Sequence, residues 1–153
     1  MKTKTLLLTL GLISAAGALY AADPMMGTWK LNEGKSKLAP GTGKNDTVLY
    51  SEADGQVKVT VDGTDKDGKT AHNEWTGKFD GKDYAVTGDP SSDTRAYKKI
   101  NDRTLQMTVK KDGKTTATGR IAVAADGKTR TVTLTGTTSD GKKTKSVAVY
   151  DKQ

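Results

Sequence analysis

From Gly27 onward the chain alternates: valine, leucine, isoleucine and aromatic residues recur at every second position over short stretches, with lysine and threonine between them. A period of two collects each class on one side of a β-strand. Asp-Gly pairs stand between the stretches, at 54–55, 62–63, 67–68, 80–81, 112–113, 126–127 and 140–141. Glycine adopts positive φ freely and aspartate tolerates it, so each pair suits the centre of a type I′ hairpin turn. The pattern predicts ten strands, near 27–31, 47–53, 56–62, 69–79, 82–88, 94–100, 103–111, 114–125, 128–139 and 142–151. One turn of helix is expected near Glu33 to Leu38, before a loop opened by Pro40, Gly41 and Gly43.

A two-residue loop fixes which residues stand opposite each other, and opposite residues share a face. Folding about Asp54-Gly55 sets Tyr50 against Val59 and Val48 against Val61; folding about Asp80-Gly81 sets Trp75 against Val86 and Gly77 against Tyr84. About Asp126-Gly127, Ile121 meets Val132; about Asp140-Gly141, Val132 meets Val149 and Leu134 meets Val147. Asp112-Gly113 does not fit, because it would set Leu105 against Arg120. One extra loop residue, Lys114, restores Leu105 with Ile121, so a three-residue loop with a bulge is expected there. Lys58, Thr60, Gln106, Thr108, Lys110, Thr131, Thr133 and Ser146 fall on the opposite, solvent-facing side. A meander with one apolar face hides that face, and loses its open edges, by closing on itself. The expected fold is therefore all-β, an antiparallel up-and-down meander closed into a barrel of about 8–10 strands.

Composition narrows the picture. Only 33% of the residues are hydrophobic, low enough to leave disorder open, but the quality of the alternation argues against it. Lys2 and Lys4 precede an apolar run from Leu6 to Leu19, which gives way to small Ala21 and Ala22 and then Asp23-Pro24. This is the pattern of a secretory signal peptide, and the run is shorter than the roughly 20 residues a membrane-spanning helix needs. Cleavage is expected after Ala21, since cutting one residue later puts bulky Tyr20 where a small residue is preferred. Residues 1–21 are then a signal peptide and 22–153 a single β-barrel domain, exported to the periplasm or the medium, with no stable membrane insertion after cleavage. The absence of cysteine excludes disulfides, thiolate metal sites, iron–sulfur clusters and thiol nucleophiles, and a single histidine excludes a multi-histidine metal site. Lysine and arginine number 25 against 18 acidic residues, an excess that could attract nucleic acid. In a meander, however, Lys69, Lys114 and Lys142 belong to one end and Lys82 and Lys128 to the other, so the charge is spread rather than concentrated. A monomer without a nucleic-acid partner is expected.

The first strand after the leader reads Gly27-Thr28-Trp29-Lys30-Leu31, and a Gly-x-Trp opening to a β-meander resembles the lipocalins, in which the tryptophan closes one end of the barrel. Two other lipocalin signatures are missing: a Thr-Asp-Tyr turn, and an arginine near the last strand to pack on the ring, for which Lys152 is the candidate substitute. More of the chain is similar to a group of small exported bacterial proteins of unassigned function, through GTWKLN at 27–32, KSK at 35–37, DGKDY-x-VTG at 80–88 and VAVYDK at 147–152. That resemblance implies a lipocalin-like, calycin-type barrel and an exported life, without a reaction or a ligand.

The candidate chemistry is thin. A small barrel with one histidine could hold a haem, as nitrobindin-like barrels do, but if Trp75 and Gly77 face inward then His72 lies outside with Glu74 and Thr76. The stretch Asp62 to Gly68 is rich in carboxylates, yet Lys66 breaks the ligand spacing of a calcium loop, and it reads as a polar hairpin. No serine sits in a nucleophile turn, so neither enzymatic activity nor a cofactor is expected. What remains is the interior, lined mostly by valine with Trp75, Tyr84, Leu105 and Met107, side chains too few and small to fill a barrel of more than eight strands. Arg95 and Tyr97 share a face. Facing inward, the guanidinium would need an anion, which points to a carboxylate-headed ligand; the rival phase puts Ala96, Lys98 and Ile100 inside and is favoured, because a lone charge is seldom buried. The candidate ligand-binding residues are thus Trp75, Tyr84, Arg95, Tyr97 and Met107. The expected function is binding of a small apolar or amphipathic molecule. The alternative is a structural or interaction protein of the cell envelope with a packed barrel, and a third reading is an enzyme or haem carrier using His72.

Overall fold

A computed structural model describes residues 23–153, so the expected signal peptide lies outside the described residues. Ten antiparallel strands follow one another in chain order and close into a barrel. They are β1 (Gly27–Leu31), β2 (Lys44–Ala53), β3 (Gln56–Thr64), β4 (Thr70–Gly77), β5 (Tyr84–Thr87), β6 (Thr94–Asn101), β7 (Thr104–Lys111), β8 (Lys114–Val123), β9 (Thr129–Thr137) and β10 (Lys143–Lys152). β1 closes the ring: Trp29 stands opposite Val48 of β2 on one side and Lys152 of β10 on the other. Beyond β1 a short 3-10 turn, Glu33–Lys35, is capped by the Asn32 side chain, and the chain then rejoins β10 through a bridge between Lys37 and Val147.

Two of the Asp-Gly pairs, Asp54-Gly55 and Asp112-Gly113, have positive φ at both residues, as type I′ turns require. The first sets Tyr50 opposite Val59 and Val48 opposite Val61, as the sequence predicts. At the second, Leu105 does face Ile121, but the extra residue is not in the loop. Lys111 pairs with Lys114 across a tight turn, and the register shifts inside the strands, where Val109 faces Ala117 and Lys110 faces Thr115. Thr116 is the residue left over, so the bulge sits in β8 rather than at Lys114.

Asp126-Gly127 keeps Ile121 opposite Val132. Asp80-Gly81 keeps Trp75 opposite Val86, although no tight turn forms there. Instead the segment between β4 and β5 leaves the ladder, donating from Gly81 N–H to the Tyr97 carbonyl at 2.9 Å, and tucks Phe79 under the barrel end.

The register about Asp140-Gly141 differs from expectation by one residue. Val132 faces Ala148, not Val149, and Leu134 faces Ser146, not Val147. Thr138 N–H donates to the Lys142 carbonyl at 2.8 Å, so Ser139-Asp140-Gly141 is a three-residue loop with only Gly141 at positive φ, and the Thr138 hydroxyl accepts from Lys142 N–H across it. As a result Val147 and Val149 lie on the outer face. Ser146 lies on the inner one, where its hydroxyl accepts from Ala39 N–H at 2.9 Å. Val59, Trp75 and Val132 share the interior, and the face that turns inward on β10 is Ala148 and Tyr150.

Candidate functional site in the barrel interior

One end of the barrel is packed. Trp75 is the centre of an aromatic cluster: the Tyr97 ring lies 4.7 Å away edge-on, Tyr84 5.6 Å away edge-on, and Phe79 6.4 Å away and nearly parallel. Such rings are favoured by quadrupole geometry as well as by burial. Gly77 makes room for this, since a Cβ there would meet the Tyr84 ring at 2.5 Å. Trp75 Nε1 donates to the Arg95 carbonyl at 2.9 Å, and the Tyr84 hydroxyl donates to Asp80 at 2.8 Å.

Beside the cluster, Trp29 fills the same end, with its Nε1 donating to the Met25 carbonyl at 3.0 Å. The ring does carry an arginine. Arg130 of β9 lies 5.0 Å from the Trp29 centroid, 4.9 Å from Tyr50 and 4.7 Å from Tyr150, while Lys152 Nζ approaches Trp29 at 5.1 Å. The sequence expectation of no such arginine looked only at the last strand. Arg130 comes from the strand before it, standing opposite Tyr150 in register. Cation–π contacts of this kind are worth about 2 kcal/mol when desolvated. They supply no hydrogen-bond acceptor, and Arg130 Nε and Nη1 have none among the described residues although the side chain is 2% exposed. The Oδ1 of buried Asn73 is likewise without a partner.

The disputed phase of β6 resolves the other way from the one favoured. Arg95 faces Tyr84 and Tyr97 faces Met107, so Arg95 and Tyr97 point inward, while Ile100 is exposed. The reason is a partner six residues upstream. Asp89, in the loop between β5 and β6, accepts from Arg95 Nη2 at 2.9 Å and from the Ser91 and Ser92 hydroxyls at 2.6 and 2.7 Å. Partial burial works to raise the Asp89 pKa, but those hydroxyls and the guanidinium outweigh it, and the carboxyl is held below its ordinary value. Burial drives the Tyr97 phenol well above its usual value, with the charges of Arg95 and Arg130 acting against it. Tyr150 is pushed up to about 12 by burial, again opposed by Arg130.

Toward the opposite end the interior opens. On β7, Leu105 is buried but Met107 and Val109 are half-buried; on β8, Ile121 and Val123 are buried but Gly119 and Ala117 are half-buried. β9 repeats the gradient from Arg130 to Val132 and Leu134, and β10 repeats it from Tyr150 and Ala148 to Ser146 and Thr144. Four successive strands thus leave inward-facing side chains within reach of water at the same end. The interior is a cup, with an aromatic and cationic floor and walls of Val, Leu, Met, Ala and Gly. At its rim, across the ends of β8, β9 and β10, lies an open depression of about 450 Å³ bordered by threonines and by Lys143 and Lys145.

All five sequence candidates meet in this interior. Trp75 and Tyr97, at 1% and 2% exposure, belong to the packed floor; Tyr84 leans on Trp75 from the side; Arg95 is tied to Asp89; Met107 is on the accessible wall. Sequence reasoning missed Arg130, Asp89 and Tyr150, and it set Tyr50 on the buried face opposite Val59 without counting it among the ligand candidates. Arg130 was within its reach, because it is two residues before Val132 on the same face.

Outside, His72 is exposed and its Nδ1 lies 2.6 Å from Asp62, whose hydrogen bond raises the imidazole pKa above its ordinary value. The 62–68 region is a polar hairpin, closed by Asp65 N–H donating to the Lys69 carbonyl at 2.8 Å. Among the described residues no cluster of His, Asp and Glu is arranged to hold a metal ion, and no helix is long and apolar enough to cross a membrane.

No family model matches the chain, and no curated protein matches it. Among solved structures it is similar to a redesigned β-barrel, mFAP1, described as bound to DFHBI, with 20% identity, a TM-score of 0.45, and coverage of 86% of this chain and 98% of that one.

Proposed function

We propose that this protein is an exported, lipocalin-like barrel that binds a small apolar or amphipathic molecule in its interior, without catalysis. The observation that carries the reading is the gradient of burial along β7 to β10, in which the inward-facing Met107, Val109, Val132 and Leu134 stay accessible while Leu105, Ile121 and Val123 do not. Apolar side chains held open to water on a concave wall lower their free energy by about 25 cal/mol per Å² when an apolar ligand covers them. The guanidinium on Trp29 supports the lipocalin-like assignment, and the pattern of residues 1–21 supports export.

The test is titration of the folded protein with the neutral fluorophore N-phenyl-1-naphthylamine. Saturable, one-to-one enhancement of its emission is expected, weakened when Leu134→Asp puts a charge on the wall. An unchanged emission spectrum at all protein concentrations would refute the pocket and favour the packed barrel.

A further inference from the structure

The turns spread their lysines over both ends of the barrel, but the outer wall divides its charge unevenly. β2, β3 and β4 contribute four carboxylates, Asp46, Glu52, Asp62 and Glu74, and the basic groups beside them are paired: Lys44 with Asp46 at 3.4 Å, Lys58 with Glu74 at 2.8 Å and His72 with Asp62 at 2.6 Å. β8, β9 and β10 contribute one, Asp151 at the closed end, which accepts from Asn32 Nδ2 at 2.7 Å. Their outward positions hold Arg120, Lys143 and Lys145, and Lys37 joins that face by bridging Val147. All four cations are exposed, and among the described residues none has a carboxylate within ion-pair distance. Asp140, in the loop between β9 and β10, is matched by Lys142 at 3.6 Å.

We propose that this outer face of β8, β9 and β10 is a docking surface for an acidic polysaccharide. The proposal is independent of what occupies the interior. Between the cations lies a platform of hydroxyls: Arg120 stands opposite Thr133, which stands opposite Val147, and in the next row Thr118 stands opposite Thr135, which stands opposite Lys145. The Thr118 and Thr135 hydroxyl oxygens are 3.3 Å apart. Each hydroxyl both donates and accepts, which suits the hydroxyls of a sugar, while the cations meet its acidic groups. Room is present at the end of the platform, in the open depression of about 450 Å³ bordered by Thr118, Thr135, Lys143 and Lys145. Spacing favours a polymer over a small anion, since Arg120 and Lys145 are two strands apart, about 10 Å across the sheet, and Lys143 is about 7 Å beyond Lys145. The same face carries no aromatic side chain on which bases would stack, and its apolar members Val147 and Val149 are half-buried, so it offers nothing to insert into a bilayer.

The experiment follows the anisotropy of fluorescein-labelled polygalacturonate as the folded protein is added at low ionic strength, with labelled dextran as the neutral counterpart and a double-stranded DNA oligonucleotide as the rival polyanion. Saturable binding of polygalacturonate is expected, weakening as salt is added, with no binding of dextran. The double variant Arg120→Gln/Lys145→Gln should weaken it about fivefold or more, whereas Lys82→Gln/Lys128→Gln, which removes the same charge from exposed turns at the closed end, should change it by less than about twofold. All four positions are exposed, and an unchanged near-UV circular dichroism spectrum verifies that both variants fold. Equal weakening by the two variants overturns the proposal, because binding then follows net charge and not this face. Tighter binding of the DNA than of polygalacturonate overturns the class of partner, and no binding of polygalacturonate at low salt overturns the surface altogether.

Discussion

The two interior arginines are held by different forces, and the difference can be measured residue by residue. Arg95 depends on Asp89: their side chains are 11% and 17% exposed, so removing the carboxylate strands a mostly buried charge. Asp89→Ala is expected to cost about 3 kcal/mol in urea unfolding at pH 7. The sign of the pH dependence follows from the depressed pKa of Asp89. The ion pair contributes fully above the ordinary carboxylate range and fades as pH falls through the lowered value, so the gap between wild type and variant should shrink in acid. A gap that stays constant down to strongly acidic pH would show that the loss is one of packing. Neither arginine's setting was fully legible in the sequence. Alternation from Val132 puts Arg130 inside, but nothing local says that β9 reaches across β10 to the Trp29 ring. For Arg95 the argument against burial was sound as physics and lacked only the anion, which the loop between β5 and β6 brings back onto the strand.

At the scale of strands and turns, the Asp-Gly pair serves several geometries that the sequence does not distinguish, and Asp62-Gly63 lies inside β3 rather than at a turn. Asp54-Gly55 and Asp112-Gly113 use positive φ at both positions; Gly68 and Gly141 close three-residue loops in which only the glycine is left-handed. The choice moves the register by one, which is why β10 turns the smaller Ala148 inward with Tyr150 and leaves Val147 and Val149 outside. Three of the five hairpin registers expected from the sequence hold residue for residue where both partners lie on the ladder, and a fourth pairs correctly by a different route, because apolar pairing across a hairpin is a strong constraint once one face is buried. The bulge at Thr116 offers a direct check. Deleting Thr116 joins the Lys110–Thr115 and Val109–Ala117 pairs into one uninterrupted ladder and keeps Leu105 opposite Ile121. That deletion should cost about 1 kcal/mol in thermal or urea unfolding, through lost local twist alone. Deleting Thr133 instead reverses the faces of half of β9 and should abolish the near-UV circular dichroism of the folded barrel. If the Thr116 deletion is the more damaging of the two, the placement of the bulge is wrong.

For the whole molecule, the sparing use of large side chains becomes a division of labour. Trp29, Trp75, Phe79, Tyr50, Tyr97 and Tyr150 crowd one end, while Ala71, Ala117, Gly119 and Gly136 take inward positions toward the other. Such a lining stoppers the barrel at one end and leaves inward-facing side chains accessible at the other along β7 to β10, while Ser92 and the Arg95–Asp89 pair close the opposite wall there. The composition made an unfilled interior legible; which end is filled depends on the tilt of the strands and on Phe79 folding under the barrel, and these appear only once the register is known. Because the chain has no cysteine, a single introduced thiol reports the accessibility of its own site. The most direct measurement compares Leu134→Cys with Ile121→Cys, both inward-facing, in the folded protein with Ellman's reagent. The account predicts that the thiol at 134 reacts within a small factor of its rate in the unfolded chain, while the one at 121 is protected until the barrel unfolds. Equal protection at both positions would contradict the open cup, and equal reactivity would contradict its closed floor.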